Sequence, residues 1–317
     1  MKIVVITQGV SRIVKPVANT LGSDLIGVIE SATRGFRTTA ASSIKPTELE
    51  EFCRQNKKQY FLLHSQNKTE ASDWLRVQEP DLVIVYSMSQ LLTEDFLAIP
   101  RIGCINLHPS LLPGYRGPNP WFWMYYNQEP IGGVTLHFID PGEDTGDIID
   151  QRTYQIPAGI KSPAMQDLAI GEIGVVMILD AIKTLQSNQP LPRRPQPAQS
   201  PTPRARNIKP SEHSSIIQWH EWPLDRIWHL MRGTELWLNC IEQPKGFFKG
   251  LRWTVGEYET SSIYNAQPHL WGSVIQDKQG HHVACRDGHI KISLELHPKA
   301  VAKSLAKRIY RKLKTSV

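Results

Sequence analysis

The chain has 317 residues, of which 40% are hydrophobic and 21% are charged. This composition is typical of a folded globular protein and excludes a disordered or collagen-like chain. The formal net charge of +6 is concentrated in residues 190–209, with five basic side chains, and in residues 299–317, with seven; the rest of the chain sums to about −6. A protein that binds nucleic acid over its whole surface would spread its basic residues more widely.

The sequence argues against export, membrane insertion and metal binding. No stretch reaches the roughly 18–20 apolar residues that a membrane-spanning helix requires. The first residues enter a strand-like segment rather than a secretion signal, so we expect a cytoplasmic protein. The four cysteines lie far apart without a CxxC pair, which argues against a zinc site and against a disulfide framework. No metal is expected.

Strand and helix patterns alternate along the first half of the chain. Strands are predicted at 2–6, 25–29, 60–63, 81–87 and 103–107, with helices at 10–21, 46–56 and 69–77. Such alternation predicts an α/β fold with a doubly wound, mostly parallel, Rossmann-like sheet. Ligands bind such sheets beyond the carboxyl ends of the strands. A single glycine, Gly9, follows the first strand, so a dinucleotide site is not indicated.

The second half of the chain has a different character. Six prolines in residues 190–209 exclude helix and central strand, which predicts an extended linker. Beyond it, a helix near 223–232 and short strands separated by glycine-containing turns predict a small β-barrel-like (OB-like) domain. Apolar residues four apart in 299–317 predict a basic amphipathic helix. We therefore expect a catalytic domain at 1–189, the linker at 190–209 and the β-barrel-like domain with its basic helix at 210–317.

The region from Cys104 to Gln151 carries the strongest functional signal. Asn106 and His108 lie two residues apart at the end of a predicted strand, so their side chains project to the same side. A second predicted strand leads into a Gly- and Asp-rich turn that contains Asp144. These groups suit acyl transfer to nitrogen. Asn106 and a protonated His108 can donate to an oxyanion, and Asp144 can hold His108 or accept the amine's proton through water.

The same residues resemble the signature of the folate-dependent formyltransferases, Asn-x-His-x-Ser-Leu-Leu-Pro with a following Arg-Gly and a later Asp-x-Gly-x-Asp-Thr-Gly. In this sequence the signature reads Asn106-Leu-His108, Ser110-Leu111-Leu112-Pro113, Arg116-Gly117 and Asp140-Pro-Gly142-Glu143-Asp144-Thr145-Gly146. The resemblance implies formyl transfer from 10-formyltetrahydrofolate to a primary amine. It also implies that Asn106, His108 and Asp144 are the catalytic residues.

The resemblance further implies which residues hold the two substrates. The formyl donor is expected at seven positions of the signature: Ser110, Leu111, Leu112, Pro113, Asp140, Gly142 and Glu143. The acceptor is expected at Tyr115, Arg116 and Trp121. Outside the signature, the remaining histidines, with His281 and His282 among them, are expected at the surface or in turns.

The acceptor is predicted from features outside the catalytic trio. Pro118-Asn-Pro-Trp121-Phe-Trp123 resembles the formyltransferases of amino sugars and small amines, which favours a small-molecule acceptor such as a nucleotide-linked amino sugar. The basic segment Arg34-Gly-Phe-Arg37 is short, which also favours a small amine.

Three other functions are weighed against this one. The two-domain layout and the basic linker and tail resemble methionyl-tRNA formyltransferases, which makes tRNA the alternative acceptor. A formyltetrahydrofolate hydrolase is expected to carry a regulatory domain ahead of the sheet, whereas residue 2 already opens it here. A non-catalytic carrier-binding module would not need the intact trio. The sequence leaves the oligomeric state open.

Overall fold

The structure is a computed structural model that describes residues 1–32, 46–88, 90–235, 237–244, 250–296 and 301. The chain divides into two compact units. Unit 1 comprises Met1–Trp123, Ile131–Ile156 and Pro163–Arg206, and unit 2 comprises Met124–Pro130, Pro157–Ser162 and Asn207–Val317. The predicted basic helix at 299–317, apart from residue 301, and the short basic segment at 34–37 lie outside the described residues. The domain boundaries expected at 189 and 209 stay predictions.

Unit 1 is built on a seven-stranded sheet with the order β3-β2-β1-β4-β5-β6-β7. Its strands are β1 (Ile3–Thr7), β2 (Leu25–Ser31), β3 (Gln59–Leu63), β4 (Leu82–Tyr86), β5 (Gly103–His108), β6 (Ile131–Phe138) and β7 (Ile148–Gln155). Strands β1 to β5 are parallel, and β6 and β7 extend the sheet antiparallel. The predicted mostly parallel, Rossmann-like sheet is confirmed.

The strands of unit 1 are apolar runs because the sheet is buried. All five residues of β1 are buried, as expected of a parallel strand covered on both faces. The helices of the first 190 residues are α1 (Val14–Leu21), α2 (Glu48–Gln55), α3 (Lys68–Gln78), α4 (Glu94–Leu97), α5 (Pro120–Tyr126), α6 (Ser162–Gln166) and α7 (Val175–Gln186), with a π-helical segment, Asp167–Gly174, before α7. Helix α2 begins where its sequence predicts, since the Thr47 hydroxyl accepts a hydrogen bond from the Glu50 amide at 3.0 Å.

Unit 2 contains a four-stranded antiparallel sheet with the order β8-β11-β10-β9. Its elements are α8 (Leu224–Thr234), β8 (Leu251–Thr260), β9 (Val274–Asp277), β10 (Gly280–Cys285) and β11 (Gly288–Leu296). Helix α8 packs on β8 and β11 with a buried apolar face that includes Ile227 and Leu230. This arrangement confirms the small C-terminal β domain.

The surface position expected for the remaining histidines holds for His220 and His269 in unit 2 but is wrong for His229 and His282. His229 lies on the buried face of α8, where its Nδ1 accepts a hydrogen bond from the Gly159 amide at 2.9 Å. His282 is buried on β10, and its Nε2 lies 2.6 Å from the Tyr264 hydroxyl. Burial lowers the pKa of both imidazoles. A neutral imidazole with one hydrogen-bonded nitrogen is tolerated in a protein interior. A histidine in the sequence therefore does not by itself predict an exposed side chain.

Within the described ranges, no helix is long and apolar enough to cross a membrane, and no cluster of three His, Cys, Asp or Glu side chains is arranged to hold a metal ion. All four cysteines are buried free thiols. Burial raises the pKa of Cys53 to about 11 and that of Cys104 to about 12, so these thiols are unreactive at neutral pH.

Candidate active site

Asn106, His108 and His137 meet where β5 pairs with β6 in unit 1. In this antiparallel pair Asn106 lies opposite His137, and His108 lies opposite Thr135. Alternate residues of a strand share a face, so Asn106 and His108 are presented together. His108 and His137 are 4% and 2% exposed, whereas Asn106 is half-buried. The expectation that histidines outside the signature lie at the surface is therefore wrong for His137 as well.

His137 is held as a neutral imidazole. Its Nδ1 lies 2.7 Å from the carbonyl oxygen of Phe138, and because a carbonyl only accepts, Nδ1 carries the proton. Nε2 therefore offers a lone pair, which accepts a hydrogen bond from Asn106 Nδ2 at 3.1 Å. Burial lowers the pKa of His137 to about 4; nearby Asp144 opposes the shift and His108 adds to it. His137 consequently fixes the orientation of the Asn106 amide, with Nδ2 directed into the site.

His108 has one nitrogen anchored and one facing the site. Its Nε2 donates to the carbonyl oxygen of Tyr115 at 3.0 Å, a bond that requires the proton on Nε2. The other nitrogen, Nδ1, faces Asp144 Oδ1 at 3.6 Å. Tyr115 has a left-handed backbone with φ of 59°. The neutral tautomer thus presents the basic nitrogen of His108 to Asp144.

Asp144 stands between β6 and β7 with a left-handed backbone, φ 55°. Its Oδ2 accepts a hydrogen bond from the Gly117 amide at 2.9 Å. Its Oδ1 lies 3.4 Å from Asn106 Nδ2, 3.6 Å from His108 Nδ1 and 3.7 Å from His137 Nε2. The two longer separations exceed a direct hydrogen bond. The structure therefore brings Asn106, His108 and Asp144 together around one carboxylate oxygen.

The turn that presents Asp144 is shaped by its neighbours in the signature. Asp140 Oδ1 accepts from the Gly142 amide at 3.1 Å and from the Thr145 hydroxyl at 2.6 Å. A Cβ at Gly142 would collide with that hydroxyl, and a Cβ at Gly146 would collide with the Phe138 carbonyl. Asp140 and Gly142, which the sequence predicts at the donor, therefore hold the turn itself. Their contact with a donor stays a prediction.

The loop after β5 buries two of its four predicted donor-binding residues. Ser110 is fully buried, and its hydroxyl donates to the Gly114 carbonyl at 2.8 Å. Leu112 is buried and is joined to Pro113 by a cis peptide bond. Leu111 is 36% exposed. Within this set, Leu111 is thus the side chain most open to a ligand.

Two predicted substrate-binding side chains are held by the linker. Arg116 is buried, and its guanidinium donates to Gln196 Oε1 at 2.8 Å and to two linker carbonyls at 2.8 and 3.0 Å. Glu143 forms a two-bond ion pair with Arg204, one bond measuring 2.6 Å. Trp121, which is also predicted at the acceptor, is half-buried on α5. The signature predicts Arg116 at the acceptor and Glu143 at the donor. In the structure both side chains bind residues of the linker.

The linker itself is packed along both loops of the site. Its contacts within unit 1 are the paired backbone bonds of Arg194 with Ile148, and the bonds of Gln196 to Asp144 and Gly146, Ser200 to Pro113, Thr202 to Tyr115, and Ala205 to Arg116 and Asn119. Residues 190–209 form neither helix nor strand, apart from the isolated bridge of Arg194 with Ile148. These contacts join residues 46 to 89 positions apart in the chain, and no sequence signal marks them.

Comparison with known proteins begins with sequence. The family described as formyl transferase matches residues 1–168. The methionyl-tRNA formyltransferase of Ruminiclostridium cellulolyticum is 31% identical over 222 residues, covering 69% of this chain and 67% of that protein. The protein of the same name from Syntrophus aciditrophicus is 37% identical over 142 residues, covering 45% of this chain and 44% of that protein.

Solved structures show the same fold at low identity. HypX from Aquifex aeolicus, in complex with tetrahydrofolic acid, matches with a TM-score of 0.61 and 14% identity, over 96% of this chain and 47% of that one. This chain thus spans about half the length of HypX. Glycinamide ribonucleotide transformylase 1 from Symbiobacterium toebii matches with a TM-score of 0.52 and 18% identity, over 62% of this chain and 93% of that one.

Proposed function

Because this chain belongs to the formyl transferase family, it is a formyltransferase, and we propose that it moves the formyl group of 10-formyltetrahydrofolate onto the amine of methionyl-tRNA. The observation that carries the proposal is the convergence of Asn106, His108 and Asp144 on one carboxylate oxygen. The tetrahydrofolic acid bound by HypX supports the donor. The names of the curated relatives support the acceptor.

Asn106 and His108 are the proposed donors to the oxyanion. When the amine attacks the formyl carbon, negative charge gathers on the formyl oxygen. One hydrogen of Asn106 Nδ2 is fixed by His137, and the second is directed toward Asp144 at a long 3.4 Å, which leaves it available to a developing oxyanion. A proton on His108 Nδ1 would provide the second donor.

Asp144 is the proposed proton acceptor. The amine nitrogen forms a bond to the formyl carbon and loses a proton toward Asp144 Oδ1. Asp144 passes this proton to His108 Nδ1. The bond from the formyl carbon to the folate nitrogen then breaks, and this nitrogen leaves with the proton from His108 Nδ1. Protons and charge balance over the cycle, with a formamide and tetrahydrofolate as products. The 3.6 Å between His108 Nδ1 and Asp144 Oδ1 supports this proton transfer, which needs a small movement of either side chain or one water molecule.

The choice of acceptor depends on the aromatic segment that follows the signature. Phe122 is fully buried, and Trp123 Nε1 donates to the Arg206 carbonyl at 2.9 Å. The Arg206 guanidinium also lies 5.6 Å from the centre of the Trp123 ring. Packing therefore accounts for two of the three aromatic residues that favour a small-amine acceptor in the sequence. With that support reduced, the relatives make methionyl-tRNA the better-supported acceptor.

The acceptor is tested by supplying the protein with 10-formyltetrahydrofolate and, separately, methionyl-tRNA and a panel of amino-sugar nucleotides. N-acetylmethionyl-tRNA, whose amine is blocked, is the matched control. We expect formylation of methionyl-tRNA, none of the blocked tRNA, and loss of rate as salt rises, because several phosphate contacts contribute to binding. Formylation of an amino-sugar nucleotide without formylation of methionyl-tRNA would refute this acceptor and support the small amine.

A further inference from the structure

The side-chain amide of Gln196 joins the two loops of the site. Its Nε2 donates to the carbonyl oxygens of Asp144 and Gly146, at 3.1 and 2.7 Å. Its Oε1 accepts from the Arg116 guanidinium, at 2.8 Å from Nη2 and 3.3 Å from Nε. Carbonyls only accept and a guanidinium only donates, so the orientation of the amide is fixed. A carboxylate at this position would place an oxygen against two carbonyl oxygens.

These bonds close a ring around the catalytic carboxylate. Gln196 holds the backbone of Asp144, the Asp144 carboxylate accepts from the Gly117 amide, and Gly117 follows Arg116, which returns to Gln196. With Oδ2 tied to Gly117, the position of the Asp144 backbone decides where Oδ1 stands relative to His108. The turn itself is half-exposed, so its own burial does not fix that position.

We propose that Gln196 is a positioning residue that sets the distance from Asp144 Oδ1 to Asn106 and His108. This inference rests on the catalytic role assigned to Asp144 in the proposed function. It makes the linker a part of the catalytic site rather than only a connection to the chain beyond it.

The test compares Gln196→Ala with Gln199→Ala, a change of the same residue type at an exposed position of the linker. Formyl transfer from 10-formyltetrahydrofolate to methionyl-tRNA is measured for each, together with Asp144→Asn and the double variant Gln196→Ala/Asp144→Asn. If the natural protein formylates the amino-sugar nucleotides instead, the same variants are assayed with those. Since a shift of about 1 Å at a reacting group costs on the order of 10²-fold, we expect Gln196→Ala to lower kcat by about 10- to 100-fold.

Three further readouts separate positioning from a general structural effect. The donor KM should stay within about twofold, because the interaction acts on the reaction and not on binding. Gln199→Ala should behave like the natural protein. In the Asp144→Asn background, Gln196→Ala should cause no further loss, because the group that it positions is already gone. Should Gln196→Ala fail to fold, Gln196→Met, which keeps the side-chain length, is measured in its place.

The outcomes distinguish this inference from the proposed function. A natural kcat in Gln196→Ala alongside an impaired Asp144→Asn would overturn the positioning role alone. An equal loss from Gln196→Ala in both backgrounds would also overturn it, since the effect would then not pass through Asp144. A fully active Asp144→Asn protein would overturn both the positioning role and the proposed mechanism.

Discussion

Replacing Asp144 by asparagine is expected to separate catalysis from folding. The Gly117 amide lies 2.9 Å from Asp144 Oδ2 and needs an acceptor, so the new amide will turn its oxygen to Gly117. Its NH2 group then replaces Oδ1, the atom that faces His108 and Asn106. The variant keeps the hydrogen bond to Gly117 but loses the carboxylate oxygen proposed to take the amine's proton, and it brings two amide NH2 groups together. Asparagine also tolerates the left-handed backbone at this position.

The expected changes in rate and in stability follow from these contacts. Removal of a positioned proton acceptor typically lowers the rate by about 10²- to 10⁴-fold, or roughly 3–5 kcal/mol in activation free energy. The free energy of unfolding should change by less than about 1 kcal/mol, because the hydrogen bond to Gly117 is kept and the backbone is accommodated.

Single-turnover formyl transfer and thermal melting measure the effects on rate and on stability separately. Asp147→Asn is the matched control, since Asp147 lies three residues away in the same loop and pairs with the exposed Arg193. We expect turnover by Asp144→Asn to be at least about 10²-fold slower with near-normal melting, and Asp147→Asn to be nearly unchanged. Turnover by Asp144→Asn within a few-fold of the natural rate would refute the assignment of Asp144 as proton acceptor.

Three other changes test the linker, the tail and the second histidine of the site. A chain ending after residue 206 should melt cooperatively and bind the donor, whereas a chain ending after 189 should bind it less well; equal binding by both would show that the linker contacts are dispensable. Neutralising the seven basic residues of 299–317 should weaken methionyl-tRNA binding and lower the salt slope by about 0.7–0.9 per lost contact, and an unchanged slope would count against tRNA contacts there. Because the folded-state pKa of His137 is lowered to about 4 from an ordinary 6.5, the unfolded chain takes up its proton first, and the free energy of unfolding should fall by up to about 3 kcal/mol as pH drops from 6.5 to 4. His137→Gln should remove that part of the fall in chemical denaturation, and parallel pH curves for the two proteins would contradict it.

The strands and the shared face of Asn106 and His108 are predictable from sequence because both are local patterns. The runs at 3–7 and 82–86 are apolar enough to mark buried strands without any knowledge of their neighbours. Asn106 and His108 share a face because alternation along a strand guarantees it. The turn that carries Asp144 is recognisable from its Gly and Asp residues, although its return to His108 is a matter of tertiary structure.

The parts of the site that the sequence does not predict depend on strand register and on contacts between residues far apart in the chain. His137 faces Asn106 because β5 and β6 pair in one register, and a shift by one residue would turn it to the other face. Gln196 contacts Asp144 across 52 positions, and its sequence context shows only prolines and basic residues. The signature places Arg116 beside the catalytic residues, yet it does not reveal that this guanidinium is bound by the linker.

The left-handed backbone of Asp144 puts two contributions to stability in opposition at one position. A residue with a side chain is disfavoured in this conformation by about 1 kcal/mol, and glycine would remove that penalty. Glycine would also leave the Gly117 amide without its acceptor, at a cost of about 1–3 kcal/mol. Selection for thermal resistance alone should therefore retain Asp or Asn here, and only a screen that also measures turnover would distinguish the two.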